Sequence, residues 1–256
     1  MSETSKTVVI TGGSSGIGTE MAQYFAGQGW DVAITYAGNT EGAEFTVAAI
    51  EAQGQRGFMM QCDVGYKDQV DAFLDAVTAQ LGLPQLLVNN AGVQTWAPFL
   101  DLQEEDWDRT IRTNLKGYFL CTQKYGRLCV EHDRPGNVVM IGSGCNKVPF
   151  PKLVDYSASK GGIESLTQVA AIELGEHRIR VNCVAPGAIE IERTRRETPE
   201  YANTWGNLAP VGRVGTSLDI AQAVEYFGSD KSSYVTGQTL YVDGGVFTLP
   251  NWPEYE

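Results

Sequence analysis

The sequence contains no apolar run close to the roughly 20 residues that a membrane-spanning helix needs. Its polar opening, MSETSK, leads straight into a strand-like stretch without the long apolar segment of an export signal. Paired cysteines are also missing. Cys62, Cys121, Cys129, Cys145 and Cys183 are odd in number, scattered, and without metal-ligand spacing. That pattern argues against a disulfide framework or a cysteine metal site and suits reduced thiols used as small core residues. Basic charge is scarce: 19 Lys and Arg against 31 Asp and Glu give a formal charge of −12. A general attraction to nucleic acid or anionic lipid is thereby excluded, and any phosphate must be bound locally. There is no internal repeat, low-complexity tract or linker-like shift, so residues 1–256 are expected to form one domain. Together these absences predict a soluble, cytoplasmic protein.

Apolar residues make up 43% and charged residues 20% of the chain, enough to build a core. Short β-rich runs at 7–11, 31–36, 57–61, 86–89, 137–141, 179–184 and 239–242 alternate with stretches of helical length and pattern. Most of the runs are continuously apolar, as expected of parallel strands covered by helices on both faces. Met21, Ala22, Phe25 and Ala26 show the complementary helical spacing. The predicted fold is a seven-stranded, doubly wound α/β domain of the Rossmann-like type. Residues 188–217 break the alternation, mixing Glu192, Arg193, Arg195, Arg196 and Glu197 with Pro199 and Pro210. This segment reads as a surface excursion, either a substrate loop or a plain solvated connection.

Directly after the first strand comes Thr11-Gly12-Gly13-Ser14-Ser15-Gly16-Ile17-Gly18, which opens into a helix. Gly12 suits the tight turn, Gly16 lets backbone approach a pyrophosphate, and Gly18 permits close packing of helix on strand. The helix N-terminus adds partial positive charge. A glycine turn alone is a weak signal, since any strand-to-helix turn can carry glycines. Its position strengthens it, as do Asp63-Val64 and Asn89-Asn90-Ala91-Gly92 at the ends of the third and fourth strands, where such sheets bind ligands. The second strand ends in Tyr36-Ala37-Gly38-Asn39, with neither the acid that selects NAD nor the arginine that selects NADP. Ser14, Ser15 and Asn39 are candidate donors to a phosphate that no carboxylate repels, so the balance leans to NADP.

Tyr156 and Lys160 share one face of a helix that continues through Ile163, Leu166, Val169 and Ala170. A nearby ammonium favours the phenolate and is expected to lower the tyrosine pKa from about 10 towards that of a working base. A tyrosine four residues before a lysine is by itself a frequent accident. Here it stands with the glycine turn, with Asn89 to Gly92, Asn114 and Ser143, and with Pro186-Gly187 ending the sixth strand. In order and spacing, over nearly the whole chain, these residues resemble the short-chain dehydrogenase/reductase family.

The resemblance implies an NAD(P)-dependent oxidoreductase with a catalytic tetrad of Asn114, Ser143, Tyr156 and Lys160, and no metal. Tyr156 would carry the substrate proton, Ser143 would hydrogen-bond the reacting oxygen, Lys160 would hold the nicotinamide ribose, and Asn114 would hold a relay water. The implied cofactor contacts are Gly12, Ser14, Ser15, Gly16, Ile17, Gly18, Tyr36, Asp63, Val64, Asn90, Ala91, Gly92, Tyr156, Lys160, Pro186, Gly187 and Ile189. Three positions depart from the family pattern: Gln85 replaces an aspartate, Gly142 a serine and Ile191 a threonine.

Within the family, Lys147 to Tyr156, Pro186 to Ile189, Asp243-Gly244-Gly245 and Pro250-Asn251-Trp252 resemble bacterial glucose 1-dehydrogenases and related aldose dehydrogenases. That likeness implies oxidation of an anomeric hydroxyl to a lactone. Gln94, Trp96, Cys145, Asn146, Lys147, Glu190 and Trp205 are the candidate substrate residues, and each is equally readable as an ordinary loop residue. Reduction of 3-oxoacyl thioesters or other small ketones is the alternative, and a non-catalytic dinucleotide sensor is the alternative from another class. The family also implies a homotetramer. The apolar Tyr118, Phe119, Leu120, Cys121 and Tyr125 fit this, because they occupy more of their helix than one sheet-facing stripe requires.

Overall fold

A computed structural model describes residues 6–248. Pro250, Asn251 and Trp252, part of the aldose-dehydrogenase likeness, lie outside these residues. The strands of the main sheet are β1 (Lys6–Ile10), β2 (Trp30–Tyr36), β3 (Gly57–Gln61), β4 (Leu86–Asn89), β5 (Gly136–Ile141), β6 (Ile179–Pro186) and β9 (Thr239–Val242). They pair in the order β3-β2-β1-β4-β5-β6-β9, every pairing parallel, as the continuous apolar runs predict.

Alternation along the strands divides the core in two. Val8, Ile10, Leu86, Val88, Val139 and Ile141 face one layer, in which α1 (Gly16–Gly27), α2 (Thr40–Glu51) and α9 (Ser217–Gly228) supply Met21, Phe25, Ile50, Ile220 and Phe227. Val9, Leu87, Val138 and Met140 face the other. There α3 (Lys67–Leu81), α5 (Gly117–Glu131) and α6 (Val154–Gly175) supply Phe73, Leu74, Tyr118, Tyr125 and Ile163. Four of the five cysteines are buried and all five are free, as expected of core thiols.

Three features escaped the sequence pattern. The apparent helix over 104–131 is continuous but uneven: α4 (Glu104–Ile111) passes through a π-helical turn, Arg112–Lys116, into α5. The excursion at 188–217 is ordered, with α7 (Glu192–Glu197), α8 (Tyr201–Gly206) and a parallel two-residue pair, β7 (Ile189–Glu190) with β8 (Gly215–Thr216). Finally, Tyr118, Leu120, Cys121 and Tyr125 are all buried within this one chain, so they leave nothing for an oligomer interface. Phe119, Val130, Val169 and Ile172 on α5 and α6 are the exposed apolar groups instead. Among the described residues no helix is long and apolar enough to cross a membrane.

Candidate active site

The strand order reverses at β1, between β2 and β4, and a crevice opens beyond the carboxyl ends of the strands. A cleft of about 850 Å³ occupies this place. It runs from Tyr36 and Asn39, past Gly12 to Gly18, to Tyr156, Lys160, Pro186 and Gly187.

The glycine turn folds for local steric reasons. Gly12 takes φ +68°, and a Cβ there would stand 2.8 Å from Ala91 Cα; a Cβ on Gly18 would stand 2.3 Å from the Gly12 carbonyl oxygen. Thr11 ties the turn to β4, its Oγ1 accepting from Asn90 N and Ala91 N at 2.9 and 3.0 Å. Asn90 Nδ2 in turn donates to Thr11 O at 2.9 Å. α1 starts at Gly16, earlier than the apolar spacing alone shows, and Ser15 does not cap it with its side chain. The first turn of the helix thus faces the cleft with its N–H groups uncapped, which suits an anion. These features fit the pyrophosphate of a dinucleotide. Asn39 lines the cleft and also caps α2: its Oδ1 accepts from Gly42 N at 3.1 Å and one Nδ2 hydrogen goes to Ser14 O at 2.8 Å, which leaves the second Nδ2 hydrogen as a donor.

At the other end of the cleft, Lys160 Nζ donates to Ile141 O at 2.7 Å and lies 5.4 Å from the centre of the Tyr156 ring. Lys160 is only 3% exposed. Burial lowers its pKa to about 8 and raises that of Tyr156 to about 12. The phenol thus shifts in the direction opposite to the one the lysine spacing predicts, because desolvation of the phenolate is the largest influence on it. The Ser143 hydroxyl opposes the rise. The lysine shift has a consequence for stability. Its folded value lies below its unfolded one, so the unfolded chain binds more protons between about pH 8 and 10.5, and stability rises with pH across that window. Urea unfolding of wild type and Lys160→Met should show the difference moving in the wild type's favour over this range.

Ser143 lies two residues beyond the end of β5 and caps a 3₁₀ turn at Gly144–Asn146, its Oγ accepting from Cys145 N at 3.2 Å. Asn114 is fully buried in the π-helical turn rather than lining the cleft. Its amide is engaged with Val93 N and O, both at 2.8 Å, and with Ser159 Oγ at 3.1 Å. On α4, two residues before the π-helical turn, Thr110 Oγ1 donates to Asp155 Oδ2 at 2.6 Å, and Asp155 Oδ1 accepts from Tyr156 N at 2.7 Å. Two buried clamps thus lock the start of α6 against the helix that carries Asn114. Thr110→Val leaves the buried Asp155 carboxylate short of a partner and should cost about 1–3 kcal/mol in chemical unfolding, with Thr110→Ser close to wild type.

Of the predicted cofactor contacts, Gly12, Ser14, Ser15, Gly16, Ile17, Gly18, Tyr36, Asp63, Val64, Asn90, Ala91, Gly92, Pro186, Gly187 and Ile189 all line the cleft. Of the predicted substrate residues only Gln94 does. Asn146 Nδ2 turns to Glu164 Oε2 at 2.7 Å, and Lys147 Nζ lies 5.1 Å from the centre of the Tyr241 ring, because the 3₁₀ turn aims both towards α6 and β9. Glu190 is held in the β7–β8 pair, and Cys145 stands beside Ser143 without lining the cleft. Trp96 and Trp205 meet through Phe150, with ring centres 5.8 and 6.0 Å apart, and Trp205 lies 6.2 Å from Tyr201, which does line the cleft. They form an aromatic group beside the cleft rather than separate loop residues.

Arg109, Arg112, Arg193, Thr194 and Tyr201 also line the cleft, outside the candidate residues that the sequence marks. Arg109 and Arg112, three residues apart on one apparent helix face, were the available signal; the residues on α7 and α8 offered none. The three departures from the family pattern have local explanations. Gln85 Oε1 accepts from Thr7 N at 2.6 Å, a Cβ on Gly142 would stand 2.7 Å from Cys183 Sγ, and Ile191 covers Gly16.

The family model described as "Enoyl-(Acyl carrier protein) reductase" matches residues 12–247. The chain is 38% identical over 249 residues to 3β-hydroxysteroid dehydrogenase 1 of Eggerthella lenta, covering 96% of this chain and 95% of that protein. This chain belongs to the short-chain dehydrogenase/reductase family. Family membership makes it an NAD(P)-dependent oxidoreductase acting on CH–OH or carbonyl groups. A second relative, the 3-oxoacyl-[acyl-carrier-protein] reductase of Staphylococcus aureus, is 38% identical over 242 residues, covering 94% of this chain and 98% of its own. The crystal structure of acetoin dehydrogenase from Enterobacter cloacae superposes with a TM-score of 0.88 at 34% identity, covering 99% and 100% of the two chains. The names of these members span steroid, thioester and small-ketone chemistry, so membership alone leaves the substrate open.

Proposed function

We propose that this short-chain dehydrogenase/reductase oxidises the anomeric hydroxyl of an aldose to a lactone, with Tyr156 as the proton carrier and NADP as the preferred cofactor. The observation that carries the oxidoreductase chemistry is the placement of Tyr156, Ser143 and Lys160 in the same cleft as the glycine turn. The bound cofactor supplies a hydride acceptor or donor at its nicotinamide ring. Tyr156 takes the alcohol proton during oxidation and returns it during reduction. Ser143 orients the reacting oxygen, Lys160 holds the cofactor ribose and favours the phenolate, and Asn114, whose side chain is anchored to Val93 and Ser159, holds the relay water. The Ser143 hydroxyl and the Arg193 charge act to lower the Tyr156 phenol, against the burial that raises it to about 12.

Support for a sugar comes from the aromatic group of Trp96, Phe150, Trp205 and Tyr201, whose faces suit the apolar side of a pyranose ring. Support for NADP comes from the end of β2, where no carboxylate opposes a phosphate. The alternative, reduction of a 3-oxoacyl thioester or small ketone, is favoured by the turning of Asn146 and Lys147 away from the cleft, which removes two hydrogen-bonding groups from the sugar reading. Segment 188–217 acts in this account as the substrate loop, and Phe119, Val130, Val169 and Ile172 as part of a tetramer interface. A monomer in light scattering contradicts the tetramer.

The test is nicotinamide absorbance with NAD and NADP in both directions against aldoses, acetoin, a 3β-hydroxysteroid and a 3-oxoacyl thioester. Aldose oxidation with NADP is the expected result. Turnover confined to the ketones or thioester replaces the sugar reading, and no turnover with any alcohol or carbonyl favours a sensor.

A further inference from the structure

The cleft carries a charge unlike that of the chain around it. Its charged lining residues are Arg109, Arg112, Lys160 and Arg193 against one carboxylate, Asp63, in a protein of formal charge −12. Low-dielectric walls of one sign focus the field and raise the local concentration of anions. Three of these cations are held within the fold. Arg109 donates to Thr95 Oγ1 at 3.0 Å and pairs with Asp106 at 3.1 Å, Arg112 lies 5.3 Å from the centre of the Tyr66 ring with its Nε buried and without a hydrogen-bond partner among the described residues, and Lys160 binds Ile141 O.

Arg193 is different. Its ion pair is with Glu197 one turn along α7, at 3.5 Å and with both side chains about half exposed, an arrangement that contributes little. Its charge reaches the phenols of Tyr156 and Tyr201, which share the cleft with it. Ile191, two residues earlier, already covers Gly16 with an apolar side chain. Arg193 thus lines the same cleft as Tyr156 and Tyr201, with its Nη1 in the exposed pair to Glu197.

We propose that Arg193 is a specificity-determining residue that pairs with an anionic group, a carboxylate or a phosphate, carried by the substrate away from its reacting carbon. Guanidinium recognises either group through two parallel hydrogen bonds. The proposal rests on the reading of this cleft as the site of a secondary alcohol or carbonyl and narrows it to the anionic members of that class, such as sugar acids or sugar phosphates rather than neutral aldoses.

Matched pairs test it: D-glucose against D-glucuronate and D-glucose 6-phosphate, and 2-butanol against 3-hydroxybutyrate, with wild type, Arg193→Gln and Arg193→Lys. An anionic member should exceed its neutral partner in kcat/KM, Arg193→Gln should lower the anionic member by about tenfold or more so that the ratio falls towards one, and Arg193→Lys should restore part of it. A preference for the carboxylate or for the phosphate identifies which anion is bound. Equal losses on both members, together with weaker NADPH binding by fluorescence titration, assign Arg193 to the cofactor and overturn the proposal, as does a wild-type preference for the neutral members. Quenching of bound NADPH fluorescence by the same anions reads the pairing without turnover. Quenching that depends on Arg193 in a protein that turns over nothing supports the anion site while the proposed reaction fails, and its absence in wild type overturns the anion site.

Discussion

Tyr156→Phe is expected to lower kcat by about 10²–10⁴-fold, the usual worth of a positioned general acid or base, while leaving NADPH affinity close to that of wild type. The substitution removes one oxygen and keeps the ring, so the packing beside Lys160, 5.4 Å away, survives. What disappears is the group proposed to exchange a proton with the reacting oxygen. Steady-state kinetics with a turned-over substrate, alongside fluorescence titration of NADPH, separate the two effects. Near-normal kcat in the variant removes Tyr156 from the mechanism, and a loss of cofactor affinity equal to the loss of kcat makes its role structural.

The second large effect is expected at Gly18. A Cβ there meets the Gly12 carbonyl oxygen at 2.3 Å, a backbone atom of the turn, and Asn90 Nδ2 at 2.7 Å, a side-chain amide tied to Thr11 O and Gly12 O. Gly18→Val must push the start of α1 away from Gly12 and break the tie between Asn90 and Thr11. Overpacking of this kind costs about 1–3 kcal/mol, and the displaced turn is the part of the cleft that fits a pyrophosphate. NADPH affinity should fall about tenfold to 100-fold, with little change in far-UV circular dichroism. Unchanged affinity in a folded variant places the cofactor elsewhere.

The features legible in the sequence were those encoded by local repetition or by a short motif. Val8 to Ile10 and Leu86 to Val88 are apolar throughout because both faces of a parallel strand are covered, so the runs themselves disclosed the sheet. Tyr156 and Lys160 were legible because four residues is one helical turn. Asn146 and Lys147 were misplaced because their directions depend on a three-residue 3₁₀ turn, which leaves no periodic trace. The π-helical turn around Asn114 was hidden for a similar reason: one extra residue in a long helix shifts its pattern too little to notice. Arg193 and Tyr201 went unrecognised because their approach to Tyr156 depends on how α7 and α8 fold back over the cleft, a tertiary arrangement without a local signature. The rise in the Tyr156 pKa is not legible in the sequence, because spacing reveals the nearby ammonium but not the burial that dominates the shift.

The central claim is that this cleft moves a hydride directly between nicotinamide and a substrate carbon while Tyr156 handles the proton. Its most direct test is isotopic: NADPH deuterated at the transferred position of C4, the carbonyl partner identified by the substrate screen, and mass spectrometry of the alcohol formed. The account predicts one deuterium on the carbinol carbon, with the hydroxyl proton drawn from solvent. Deuterium released to water, or cofactor oxidised without labelled alcohol, would contradict it.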